Sequence, residues 1–411
     1  MPIATGVFKK LSLKKQAALG TIAAAGAGGS ARYMRRVTST LDLAKAGYQS
    51  AEINPSQQVR DFRHGVRSVA GSISGELSVG GYQLPIESVL RKTAVVGGTT
   101  GAVANITIAS SGAGTFAGTI TQGAGDYLAM GFKVGDVVRQ TGGGSAANNA
   151  HNFLITALTA LIMTVRTLDS TDLVAQAPAA GVTIAVAGKK TWVPAAAQTR
   201  DYYTIEHWYS DIGESERFVD CVFTGFNIGL PATGMATIEF PVMGLNMLTG
   251  AAEYFTTPAA APVGPILAAA NGALVVNGVV VADVTAMNIA VAGGQSVPGG
   301  VVGSNVDPDI FPGVLTATGS LTVLFRTVAL RDLFLNETEF GVYAAFTGDN
   351  SAGAGFTAIA MPRVKATGNT KDDGTAGLSQ TIPFQALENF AGGAGVNSEA
   401  TTISIQDSAF V

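Results

Sequence analysis

The ten residues GVRSVAGSIS at 65–74 return as GVLTATGSLT at 313–322, with Gly, Val, Gly and Ser in register and Ile73 answered by Leu321. From Gly65 to Gly313 the offset is 248 residues, and the same offset separates Asp61 and His64 from Asp309 and Pro312 at the approach to each copy. A repeat at this distance means one supersecondary unit used twice, so the chain is limited to folds that accept two related halves. A second pair of markers lies downstream. DYYTIEHWYSD at 201–211 parallels EFGVYAAFTGD at 339–349, matching Tyr203 to Phe340, Ile205 to Val342 and Tyr209 to Phe346. Their offset is only 137, so the first copy holds 111 more residues between its markers than the second.

Composition places that excess. From Val95 to about Lys189 charge nearly vanishes, and short β segments alternate with Gly, Ala, Ser and Asn turns. GFKVGDVVRQTG at 131–142, FLITAL and IMTVRTL are spaced as in a small barrel or sandwich. The sequence therefore divides into an N-terminal arm at 1–37, a first unit at 38–94 and 190–255, an inserted β domain at 95–189, a Pro/Ala linker at 256–268 and a second unit at 269–411.

Within each unit the motif opens a strand of period two. Ser72, Ser74, Glu76 and Ser78 fall on one face and Ile73, Leu77 and Val79 on the other. Copy two sets Ser320, Thr322 and Arg326 against Leu321, Val323 and Phe325, with Leu324 on the polar face. A short helix follows in YQLPIESVLRKT, where Pro85 suits the first turn and Ile86, Val89 and Leu90 share a face; Leu330, Leu333, Phe334 and Glu337 hold the comparable place. Each unit closes with a hairpin, in which Ile238 and Phe240 match Ile382 and Phe384 at an offset of 144. The expected fold is mainly β: two related sandwich or half-barrel units, each with one flanking helix, plus the inserted small β domain.

Charged residues make up 13%, about half the usual ~25%, and mean hydropathy is positive. A surface so poor in charge favours assembly. The net charge of −4 argues against a nucleic-acid binder, which needs many cations on phosphates. Lys9, Lys10, Lys14 and Lys15 precede an Ala/Gly stretch with only Leu19 and Ile22 as strong hydrophobes, which reads as a flexible or docking arm. Deleting the first thirty or so residues is then expected to leave a folded protein that assembles poorly. Arg32, Arg35 and Arg36 form the most basic cluster, either a solvated edge or a partner for an acidic patch on a neighbouring subunit.

No enzyme site emerges. His64, His151 and His207 sit in three contexts without ligands at metal spacing, and Cys221 lies in an apolar strand pattern. GTTGAVANIT and GGGSAAN lack the lysine and the strand–turn–helix setting of a phosphate loop. KDDG at 371–374 reads as a solvated hairpin tip, its two carboxylates too few for calcium. Catalytic, cofactor and metal sites are all expected to be absent, and no apolar run approaches a membrane span.

The segment YQSAEINPSQQVRDFRHGVRSVAGSISGELSVGGYQLPIESVLRKT at 48–93, the hairpin at 218–245 and the GFKVGDVVR insert together resemble the tail tube proteins of long, non-contractile-tailed bacteriophages. The insert looks like the decoration domains carried outside such tubes. The resemblance implies β-sandwich or half-barrel units with a flanking helix, six to a ring, stacked into a tube that conducts DNA from capsid to host. With the unit occurring twice, it implies homotrimers of pseudo-sixfold symmetry. Implied partners are the chain itself, tape measure, tail terminator and tail-tip proteins, and DNA in transit without specific binding. The protein would be made in the host cytoplasm and reside in the virion tail. Ser72, Ser74, Glu76, Ser78, Ser320 and Thr322 are the candidates to face the lumen, and Arg32, Arg35 and Arg36 to make inter-subunit contacts. A second reading is a secreted or virion-surface binding module, an adhesin or glycan binder, with the insert as recognition element and Trp192 and Trp208 as stacking platforms.

Overall fold

The structure, a computed structural model, describes residues 3–26, 31–103, 105–373, 375 and 377–411. The chain is mainly β, with two α-helices among the described residues, α1 (Gln83–Leu90) and α2 (Ala329–Leu335). Its axis is the strand Phe62–Glu76, which contains the first copy of the motif. On one side this strand pairs with Thr38–Ser39 and Asp42–Gln49, on the other with Thr237–Gly244. Beyond lie Gly225–Pro231, Val284–Ala292, Thr316–Leu324 and Ser379–Ala386, every pair antiparallel. The two copies of the motif thus belong to one continuous sheet, joined where 225–231 meets 284–292 along seven residue pairs.

The surroundings of the two motif copies correspond locally. A Cβ on Gly71 would come 2.5 Å from the Thr40 carbonyl oxygen, and one on Gly319 would come 2.6 Å from that of Asn288. Thr40 and Asn288 are again 248 residues apart, so the motif's second glycine serves one purpose twice: it lets the neighbouring strand's backbone approach. The outer strands repeat a defect. Tyr203–Tyr209 pairs with Glu214–Phe223 with a one-residue slip between Tyr203 and Ile205; Phe340–Thr347 pairs with Phe356–Ala366 with the same slip between Phe340 and Val342. Both helices end in a left-handed residue, Arg91 at φ 60° and Glu337 at φ 51°.

The closing hairpins match differently from the expectation. Ile73 pairs with Phe240 in one unit and Leu321 with Ile382 in the other, so Phe240 corresponds to Ile382 and the offset is 142. That alignment superposes Pro241 on Pro383, whose carbonyls accept from the Thr224 and Thr367 amides in turn. A proline is tolerated there because 214–223 hands over to 225–231 at Thr224 and the ladder is interrupted.

One face of the shared sheet is buried. Phe240 packs against Tyr82, Phe223 and Phe226 at centroid distances of 5.6, 5.9 and 6.3 Å. Ile73, Ile228, Ile289, Leu321 and Phe384 extend the same core, which α1 covers with Ile86, Val89 and Leu90. α2 has no buried residue.

Two further expectations need correction. Lys9–Lys15 is a strand: it pairs along seven residues with 203–209 and buries Leu11 and Leu13 between its lysines. Its counterpart is Gly272–Val276, which pairs with 340–347 in the same way. The lysines mask an alternation that completes the first unit's outer layer, so a deletion reaching Leu13 would open the core instead of leaving a folded protein. Ser78 is 2% exposed and lies beyond the strand's end at Glu76. There Leu77 and Val79 donate to Ala236 and Pro265, and the chain runs beneath the linker.

Strands between Ile106 and Val186 form a seven-stranded sheet with its own core, including Ile120, Phe132, Val165 and Ile184. This insert is seated on the second unit. Val137, Leu154 and Ala187 pack with Val275, Tyr343 and Phe356, and the Gln406 amide bonds the backbone of Val137 and Ala187. At its base the buried Lys190 ammonium lies 3.0 Å from Asp136 and 2.8 Å from Glu399. Burial opposes that charge, but the two carboxylates outweigh it and raise the lysine's pKa. Removing one member of a buried ion network strands the others without partners. Lys190→Ala is expected to lower unfolding free energy by about 3–5 kcal/mol in a denaturant titration, whereas Lys45→Ala, at an exposed lysine, should stay within about 0.5 kcal/mol.

The last strand, Ser404–Asp407, joins 356–366 to Lys189–Trp192. Asp407 accepts from Thr357 Oγ1 at 2.6 Å and from the Gly80 and Ala409 amides, yet burial pushes its pKa up to about 6. An unfolded aspartate titrates near ~3.9, so between the two values the native state holds a proton that the unfolded chain has lost. Stability from this residue therefore falls as pH rises from about 4 to about 6, by roughly 2–3 kcal/mol. Asp407→Asn should flatten that part of the stability–pH curve and leave the rest unchanged.

Candidate functional site

The other face of the shared sheet is open. Register carries it across strands: Thr38, Ser74, Glu239, Asn227, Ala290, Thr318 and Gln385 form one row. A second row runs Glu76, Thr237, Gly229, Asn288, Ser320, Pro383, and a third Pro231, Ala286, Thr322, Thr381. Hydroxyls meet across the rows, Thr38 with Ser74 at 2.6 Å and Thr322 with Thr381 at 3.0 Å. Such pairs brace a sheet without a charged side chain. Carboxylates are present at Asp42, Glu76 and Glu239, while these strands, among the described residues, turn no lysine or arginine to this face between Ser68 and Gln385; the row's neighbouring cation is Lys365 of the adjoining strand 356–366, opposite Gln385 and paired with Glu337 at 2.8 Å.

Of the six wall candidates, Ser72, Ser74, Glu76, Ser320 and Thr322 lie on this face; Ser78 does not. The candidates of the two units, listed apart in the chain, meet in one row through Glu76 and Ser320. Sequence reading missed Asn227, Glu239, Asn288 and Thr381, although each alternates with buried neighbours such as Ile228, Phe240, Ile289 and Ile382. Arg326 leaves the face: it lies past its strand's end and forms a two-pronged pair with Asp283 at 2.6 and 3.0 Å.

The arm arginines contact backbone. Arg35 donates to the Gly264 carbonyl at 2.7 Å, Arg36 to those of Gly6 and Lys9, and the Arg32 backbone pairs with Leu13 and bridges Ala259. None of the three joins an ion pair among the described residues. The Lys371 ammonium lies 3.5 Å from the Phe325 ring centroid with Asp372 and Asp373 exposed beside it; Gly374 lies outside the described residues.

The three histidines and Cys221 do not converge on one site. His207 is buried, its Nε2 2.9 Å from Ser39 Oγ, and burial lowers its pKa. His151 bonds Asp169 inside the insert, and His64 is exposed against Phe62. Burial raises the Cys221 pKa, which makes the thiol inert. Among the described residues no three His, Cys, Asp or Glu side chains cluster to hold a metal, and no helix is long and apolar enough to cross a membrane. Trp192 and Trp208 both lie outside the insert's sheet, and the Lys92 ammonium sits 3.0 Å over the Trp192 ring. Neither offers the insert a stacking platform.

Because the face points away from the core, its substitutions should cost the monomer little. Ser320→Lys is expected to change the unfolding free energy by less than about 1 kcal/mol, against about 3–5 kcal/mol for Phe240→Ala on the buried face, both read by urea titration.

A family model described as phage tail tube protein matches residues 9–386. No curated protein matches the chain.

Proposed function

Since the chain belongs to the phage tail tube protein family, a structural family of the virion tail, we propose that three copies close a ring of six related units around a DNA conduit. Such rings stack into the tube between capsid and host. The units are those read from the sequence, 38–94 with 190–255 and 269–411, the first now extended by the strand at 9–15. The observation that carries this reading is the shared sheet. It joins both units, leaves a strand edge open at either end, and presents a face of hydroxyls, amides and a few carboxylates.

That face lines the lumen. Each cation on a conduit wall would add affinity for phosphate through counterion release, and moving DNA must not be held. Asp42, Glu76 and Glu239 repel the backbone instead, and short uncharged side chains supply the rest. Closure removes both edges, which an isolated sheet would expose to unwanted pairing. The insert decorates the outside, and the half-buried Arg32, Arg35 and Arg36, beyond their own-chain backbone contacts, reach neighbouring subunits. Tape measure, terminator and tip proteins are the partners at the two ends.

Electron microscopy of the purified protein across concentration, with mass photometry of the smallest species, should show hollow filaments built from trimers. Persistent monomers would count against the tube, and hexamers against two units per chain. In assembled tubes Ser74→Cys should resist a bulky maleimide that labels the unassembled chain freely. Tubes carrying Thr318→Arg and Ser320→Arg should retain double-stranded DNA at low salt and release it as salt rises, whereas unmodified tubes retain none.

A further inference from the structure

Each open edge of the shared sheet has a counterpart that is already paired inside the chain. The segment Thr38–Ala44 stands in the first unit where Ala286–Ala292 stands in the second. The offset is 248, the partner is the motif strand in both cases, and Leu41 and Leu43 turn inward as Ile289 and Val291 do. At the opposite edge, Thr370 pairs with Thr381 and Lys371 with Gln380, repeating Asn227 with Glu239 and Ile228 with Ile238. Gly368–Asp373 therefore occupies the place of Gly225–Leu230.

The two versions of that strand differ in what lies beside them. Gly225–Pro231 has three pairs to 237–239 and seven to 284–292. Thr370–Lys371 has two pairs to 380–381 and no strand on its outer side among the described residues. Most of the first strand's ladder comes from its outer partner, and the second is short for want of one.

We propose that Gly368–Asp373 of one chain pairs antiparallel with Ser39–Ala44 of a second copy, with Thr370 opposite Asp42 and Lys371 opposite Leu41. This is the internal junction transposed: Asn227 faces Ala290 and Ile228 faces Ile289. The proposal rests on the ring reading and adds its register. It explains a chemical difference between the edges. Phe226, Ile228 and Leu230 turn inward at the internal junction; Asn369, Lys371 and Asp373 hold those positions at the free edge. Inward charge on an exposed edge discourages pairing with the wrong strand before assembly. The 39–44 strand, with Leu41 already buried by its own chain, is the complementary partner.

Hydrogen bonding gives the register a signature. At the internal junction the Gly293 amide donates to Thr224 and the Ala232 amide to Thr285, so by alternation Asn227 and Ala290 are a non-hydrogen-bonded pair. Thr370 and Asp42 inherit that geometry, with Cα atoms about 4.5 Å apart and within disulfide reach. The amides of Leu41, Leu43, Asn369 and Lys371 point across the junction.

The test oxidises a Thr370→Cys, Asp42→Cys double variant after assembly and reads it on a denaturing gel. Cys221 is buried and does not compete. The expected result is a covalent ladder ending at three chains, absent from either single variant. Asn227→Cys with Ala290→Cys, the internal control, should oxidise within one chain. Thr370→Cys with Thr40→Cys, on the same face but two residues out, should cross-link at least tenfold more slowly. Faster cross-linking by the latter pair overturns the register. Wild-type tubes with a reduced 370/42 pair and an oxidised control overturn the junction and leave the ring standing. If the wild-type chain forms neither rings nor tubes, the ring reading fails and the junction with it. Hydrogen exchange on the unmodified protein covers a variant that misfolds: assembly should protect the Leu41, Leu43, Asn369 and Lys371 amides at least tenfold, and unchanged exchange there overturns the pairing.

Discussion

The seven residue pairs between 225–231 and 284–292 decide what kind of molecule this is. Without them the chain would be two half-barrels on a linker, each with a hydrophobic strand edge. With them the buried faces of both units merge into one core running from Leu41 to Phe384, and the polar faces merge into one wall. Everything on that wall follows from the pairing. Period two sends Asn227 and Asn288 to the same side as Ser74 and Ser320, and a one-residue slip at the junction would send half of the wall inward.

Much of this was legible in the chain. The motif's offset of 248 carries over to the neighbouring strands because the segments 45–64 and 293–312 are equal in length. The fall to an offset of 137 marked the insert, and the helices lie where Pro85 and Leu330 put them. What failed did so for physical reasons. Matching Ile238 and Phe240 to Ile382 and Phe384 followed hydrophobicity, which any strand with a buried face displays; Pro241 and Pro383, rare inside a sheet, were the better markers. KKLSLKK reads as an arm because four lysines hide the alternation of Leu11 and Leu13. Ser78 continued a pattern on paper after its strand had ended. That the insert rests on the second unit could not be read at all, since it depends on Gln406 and Glu399, more than 200 residues beyond the insert's last strand.

The buried polar groups fall at the seams. Lys190, Asp136 and Glu399 tie insert, first unit and C-terminal segment together, Gln406 ties the insert to the last strand, and Asp407 ties that strand to Gly80 ahead of α1. At another seam Arg91 ends α1 and donates to the Gly293 and Gly313 carbonyls of the second unit at 2.9 and 2.8 Å. A hydrophobic seam would tolerate sliding. These contacts are directional, each needs several partners at once, and together they fix how the layers sit.

The internal junction also bears on how a ring could nucleate. Building six units from six separate chains means five associations, each losing translational and rotational freedom worth an estimated 4–15 kcal/mol at the 1 M standard state. Three chains need two. Half of the strand junctions then form during folding, at a rate indifferent to protein concentration, and the order of the closing reaction drops from six bodies to three. In the proposed trimeric ring the short linker at 256–268 would convert a problem of subunit supply into one of chain connectivity.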